Sequence, residues 1–151
     1  MSQRPMSSVC HTDTFTLNVP DDWADRSMIT WVAPPSANYK VMPNLLCSKG
    51  EMQANEDLDR FVNRQLKELM GQVKNFDLIS RRNTLFGGRP AVELLFSMRP
   101  QGIMLKQRQL FFQADPKGQT INTVVLTAAR DDYDALIPTF ERILDSVSWH
   151  S

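Results

Sequence analysis

Between residues 77 and 128 four stretches of alternating apolar and polar residues follow one another, joined by three short turn signals. The stretch 77–86 ends at Gly87-Gly88, and 90–98 places Val92, Leu94, Phe96 and Met98 at every second position. Pro100-Gln101-Gly102 then leads into 103–113, and Asp115-Pro116-Lys117-Gly118 into 119–128. A period of two sends successive side chains to opposite faces of a strand, and connections this short join only antiparallel neighbours. The second half of the chain is therefore expected to be a meander. Parallel nucleotide-binding sheets, which need a long crossover after each strand, are excluded.

The flanking segments complete the pattern. Phe15, Leu17 and Val19 alternate with Thr14, Thr16 and Asn18 until Pro20-Asp21-Asp22 stops the run, and Trp23, just after it, is expected in the core. Residues 27–33 read as a second strand with apolar groups on both faces. Residues 40–48 read as a third, with Pro43 marking an edge or a bulge. Leu58, Val62, Leu66, Leu69 and Val73 recur at helical spacing, which predicts a helix over 55–74 capped by Asn55. Leu136, Phe140, Ile143, Leu144 and Val147 predict another over 131–147, interrupted by Pro138. The expected fold is α+β, a mainly antiparallel sheet of about seven strands with two long helices in the order βββαββββα. Its 151 residues make one domain, 13–151, behind a flexible segment, 1–12.

Composition narrows the function. Seventeen basic residues balance seventeen acidic ones, so there is no cationic excess for a nucleic-acid backbone. No apolar run is long enough to cross a bilayer, and no secretory leader is visible, so the expected address is the cytoplasm. Cys10 and Cys47 do not form a disulfide framework. Phosphate-binding glycine loops, nucleophile elbows and zinc-binding histidine pairs are absent, and His11 and His150 lie in the chain ends. Asp21-Asp22 and Asp131-Asp132 sit where turns and helix starts explain them. The expectation is a protein without catalysis, cofactor or metal.

One strand does not fit a simple two-faced scheme. In 103–112, Gln107 and Gln109 share a face with Ile103, Leu105 and Phe111, whereas Lys106 and Arg108 share the other with Met104, Leu110 and Phe112. An amide left dry and unpaired among aliphatics costs about 1–3 kcal/mol, so these glutamines must either bond internally or face a ligand. Gln65, beside the apolar stripe of the first helix, poses the same alternative. The eight methionines fit an adaptable binding surface, though core filling is the commoner use.

The run Phe15-Thr16-Leu17-Asn18-Val19-Pro20-Asp21-Asp22-Trp23-Ala24-Asp25-Arg26-Ser27, the 55–74 helix, Gly87-Gly88-Arg89-Pro90-Ala91 and the ending Ser146-Val147-Ser148-Trp149 resemble the DcrB-related proteins. Within them the chain is most similar to the Eag-type effector chaperones of type VI secretion. The resemblance implies a PsbP-like fold, a homodimer and a cytoplasmic chaperone and adaptor. Its partners would be the N-terminal transmembrane segments of a PAAR-containing effector, with VgrG reached indirectly. Other DcrB-related proteins are exported lipoproteins, a pattern from which this sequence departs. Matched by type and element order, the groove residues would be Ile29, Trp31, Leu46, Gln65, Leu69 and Gln109. The rival expectation is a PsbP-like assembly factor that binds a folded soluble partner.

Overall fold

The stretch Arg89–Met98 is nearly all apolar on both of its alternating faces, and a strand of that kind must be covered from two sides. A computed structural model describes residues 5–150 and supplies both covers. In chain order the elements are β1 (Ser8–His11), β2 (Thr16–Val19), β3 (Met28–Val32), β4 (Asn44–Glu51), α1 (Leu58–Gln72), β5 (Asp77–Phe86), β6 (Arg89–Met98), β7 (Leu105–Phe112), β8 (Thr120–Ala129) and α2 (Arg130–Asp145). The main sheet has six strands in the order β3-β4-β8-β7-β6-β5, antiparallel throughout. β1 and β2 form a separate hairpin.

The meander appears as expected. Gly87 and Gly88 both take positive φ, 55° and 80°, which is the tight turn that fits the twist of two paired strands. A side chain at Gly87 would also strike Trp149, whose indole N–H donates to the Gly87 carbonyl at 2.8 Å while the Arg89 guanidinium lies 3.9 Å over its ring. The chain end is thereby folded back onto the β5–β6 turn.

α1 lies on one face and α2 on the other. Phe61 and Val62 of α1 pack with Val92, Leu94, Phe96, Phe111 and Ile121. Tyr133, Leu136, Phe140 and Leu144 of α2 pack with Ala91, Leu110, Phe112, Val124 and Leu126. The polar half of β7 on the α2 side now has a reason. Glu93 is only 5% exposed and accepts from Arg82 Nε at 3.0 Å and from Arg108 Nε at 2.8 Å, and Arg108 in turn reaches Glu141 of α2 at 2.6 Å. Lys106 stands over the Tyr133 ring at 4.7 Å. A chain of charge thus runs from β5 through β6 and β7 to α2.

Several features differ from the sequence expectation. Residues 8–11, expected to be unstructured, pair with β2. Pro43 precedes β4 rather than interrupting it, and its carbonyl accepts from the Ala33 N–H. The cap of α1 is Asp57, whose carboxylate accepts from Arg60 N at 2.9 Å, while Asn55 adopts a left-handed turn with φ 65°. Trp23 is not in the core but 67% exposed, because the hairpin that precedes it does not fold onto the sheet.

Removing Glu93 takes from Arg108, whose side chain is 12% exposed, the partner of its Nε and leaves it Glu141 alone. Glu93→Ala is expected to lower the unfolding free energy by about 1–3 kcal/mol, measured by urea denaturation at pH 7. A loss below ~1 kcal/mol would contradict the role given to this charge chain.

Candidate functional site

Because β4 ends at one edge of the sheet's centre and β5 forms the far edge, α1 must cross the face between them, and where it crosses determines what stays open. Its contacts fall on β6 and β7. Arg81 of β5 bonds Asn63 and donates to the Asp59 carbonyl at 3.2 Å, so the Asp59–Asn63 flank is turned toward β5. Helical spacing puts Phe61 and Gln65 on the opposite flank. Phe61 points toward β4, where a β-carbon on Gly50 would lie 3.0 Å from its ring. α1 is therefore a wall with Gln65 on its open side and Leu69 between that side and the core.

The floor beside this wall follows from strand register. Gln109 is opposite Val125, Val125 opposite Leu46, and Leu46 opposite Thr30. The neighbouring row is Gln107, Thr127, Asn44 and Val32, and the row on the other side is Phe111, Thr123, Ser48 and Met28. Directly opposed residues point to the same face, and Phe111 fixes that face as the one under α1. The part that α1 does not cross is a strip of aliphatic, hydroxyl and amide groups across β7, β8, β4 and β3, in which Val125 and Thr127 are themselves only 8% and 5% exposed. Gln107 and Gln109 are half-buried there, and Gln109 Nε2 donates to Gln107 Oε1 at 3.2 Å. Neither side chain has another hydrogen bond among the described residues.

Of the residues expected in a groove, Leu46 and Gln109 lie on the α1 side of the sheet, with Gln65 on the flank of α1 and Leu69 packed against the core beneath it. Ile29 and Trp31 do not. Register sets them opposite Cys47 and Leu45, on the α2 face, so the residues that β3 contributes to the α1 side are Met28, Thr30 and Val32. The difference is one residue of register, enough to reverse every side chain of a strand. Gln107 shares the face of Gln109 by the same alternation that made the strand conspicuous, and Thr30, Asn44 and Thr127 carry no signal of their own. On the α2 face, Trp31 lines an apolar cleft of about 510 Å3 with Pro34, Tyr39, Leu45, Phe140 and Ile143.

Among the described residues no three His, Cys, Asp or Glu side chains come together as a metal site, and no helix is long and apolar enough to cross a membrane.

The profile of the DcrB family matches residues 15–146. The chain belongs to the DcrB family. Among solved structures it is similar to PA94 of Pseudomonas aeruginosa, a protein of unknown function, with 22% identity, a TM-score of 0.80 and coverage of 95% of this chain and 97% of that one. LpqN of Mycobacterium tuberculosis, involved in cell envelope biogenesis, shares 14% identity with a TM-score of 0.57, over 83% and 84% of the two chains. Cyanobacterial PsbP from Synechocystis shares 12% with a TM-score of 0.54, over 99% and 97%. These likenesses establish a PsbP-like fold for this DcrB-family chain. No match is found among curated proteins.

The wall is tied to the floor by one carboxylate. Glu56 accepts from Gln53 N at 2.7 Å and from Arg64 Nε and Nη2, each at 2.9 Å, and Arg64 also reaches the Glu51 carbonyl at the end of β4 at 3.1 Å. Arg64 and the Gln53 N–H hold the Glu56 carboxyl down at about 2, from the usual 4.5. A carboxyl whose pKa is lowered by folding stabilises the fold above its unfolded value and ceases to as pH falls through its folded one. Glu56→Gln is thus expected to lower the melting temperature at pH 7. The gap to the unsubstituted protein should close between about pH 4.5 and 2, as followed by circular dichroism. A gap independent of pH would contradict this assignment.

Proposed function

We propose that this DcrB-family protein is a chaperone and adaptor that shelters apolar helices of another protein in the trough beside α1. The observation that supports the reading most is the Gln107–Gln109 pair, half-buried on a largely aliphatic floor and bonded only to each other. A helix made for a bilayer needs its apolar side covered in water, and its small or polar positions accept side-chain amides in place of the neighbouring helices they would meet in a membrane. Leu46 supplies the aliphatic contact, Gln65 and Leu69 a wall, and the two floor glutamines the polar grip. The sequence resemblance gives the occupant: the N-terminal transmembrane segments of a type VI secretion effector that carries a PAAR domain, held in the cytoplasm and delivered to the VgrG spike.

The reading needs no catalysis, cofactor or metal. It also accounts for the form of the sheet, since a face fully closed by α1 would serve stability better and leave nowhere for a guest.

Co-expression with a polypeptide that carries paired apolar segments ahead of a PAAR domain is expected to yield a soluble complex. Leu46→Asp and Gln109→Lys should each reduce recovered complex on the order of tenfold, equivalent to about 1.4 kcal/mol, with the circular dichroism of the chaperone unchanged. Thr139→Lys, on the α2 side, should leave recovery as it was. Equal recovery from all three would overturn the assignment of the trough. Capture of folded soluble proteins alone would favour an assembly factor instead.

A further inference from the structure

α2 packs mainly over β8 and β7, and on its side of the sheet β4 and β3 lie beyond it. Strand register carries an apolar row outward from under the helix: Leu126 is fully buried, Leu45 opposite it is half-buried, and Trp31 opposite Leu45 is 69% exposed. Residues 33–43, which join β3 to β4, cross to α2 beside this row. The Ala33 N–H donates to the Pro43 carbonyl at 2.9 Å and closes the base of the connection. Lys40 fastens its far side to the first turn of α2, with its N–H on Asp132 Oδ2 at 3.1 Å and its Nζ on Asp131 Oδ2 at 2.8 Å. Pro34, Pro35 and Pro43 fix φ at three positions of the same loop. A void in an apolar region forfeits the contacts its walls would make, yet here a stiff, latched loop keeps about 510 Å3 open between the row and α2. That is the size and character of a preformed ligand site.

We propose that this cleft binds the hydrocarbon chain of a single-chain amphiphile whose head group is uncharged or zwitterionic. No charged residue lines it among the described residues, so the part of a ligand that enters must be neutral. Its polar groups are few, and two are already engaged: Asn44 Nδ2 donates to the Met42 carbonyl at 3.3 Å, and Ser36 Oγ accepts from the Asn38 N–H at 3.1 Å. An extended peptide would bring a backbone donor and acceptor with every residue and find little to satisfy them. A helix is excluded by size, since it measures about 10–12 Å across with its side chains and 510 Å3 holds about one turn of it. A flexible alkyl chain asks for neither hydrogen bonds nor width. Taking a methylene to need about the room of a water molecule in the liquid, ~30 Å3, the cleft is full at about 17 carbons. At the rim Lys40 and Arg130 balance Asp131 and Asp132, which leaves no positive excess for an anionic head. The site lies across the sheet from the trough beside α1 and does not depend on it.

Titration calorimetry with a series of alkylphosphocholines tests this, each added to the full-length chain below its micelle-forming concentration. A single site is expected, with affinity rising about fourfold for each added methylene. The rise should level off once the chain reaches about 16 carbons and the cleft is full. Thr139→Trp, at an exposed position of α2 that lines the cleft, should fill it and weaken binding of the longer chains more than tenfold, with the circular dichroism unchanged. Trp31→Ala, which removes the exposed end of the apolar row, should weaken binding severalfold. Leu46→Asp, on the opposite face, should leave it as it was, so the cleft and the trough stand or fall separately. No binding at any chain length would overturn the proposal. So would an affinity that climbs without levelling and is indifferent to Thr139→Trp, the mark of adsorption to exposed apolar surface.

Discussion

The placement of α1 governs the rest of the molecule. A helix that must connect β4 to the far edge β5 spans the sheet once, and Arg81 on one flank with Arg64 and Glu56 at its start hold it over β6 and β7. The cost of that placement is an uncovered strip on β8, β4 and β3. A sheet normally closes such a strip with a second helix, because exposed aliphatic surface is unfavourable by about 25 cal/mol per Å2. Here the strip is moderated instead by threonines, an asparagine and two glutamines, which keep it compatible with water while Leu46 remains partly exposed and Val125 is only 8% exposed.

On the opposite face the logic is reversed. Glu93, Arg108 and Glu141 fix α2 in place through a buried chain of charge, and the apolar ring Phe86, Phe112 and Trp149 closes the end of the sheet. This face supplies the stability that lets the other remain open. It also explains why a charged strand such as β7 can stand in the middle of a sheet: its two faces serve different ends, Lys106 and Arg108 anchoring a helix and Gln107 and Gln109 lining a surface.

Much of this was legible in the sequence. Period-two alternation and the turns at Gly87-Gly88 and Asp115-Pro116-Lys117-Gly118 defined the meander, and the apolar stripe from Leu58 to Val73 defined the wall. The mixed character of β7 marked a strand whose two faces serve different ends, and Gln107 and Gln109 do lie on the α1 side while Lys106 and Arg108 lie on the α2 side. What escaped depended on partners distant in sequence. Ile29 and Trp31 are indistinguishable in pattern from Met28, Thr30 and Val32, since β3 is apolar on both faces and only its register with β4 decides which set lies under α1. Trp23 looked like core because large aromatics usually are, and nothing local records that the hairpin before it stays off the sheet. Asn55 and Asp57 are equally good caps by type. The choice fell to Asp57 because Glu56 is engaged by Arg64, eight residues on, and the chain turns at Asn55 to allow it.

The central claim is that apolar helices rest on the α1 side of the sheet, and site-specific photocrosslinking addresses it most directly. A photoreactive side chain placed at position 46, 109 or 139 in the complex with an effector's apolar segment would report which face is occupied. Adducts from 46 and 109 and none from 139 are the expected result. Adducts from 139 alone would place the guest in the cleft beneath α2 and contradict the account.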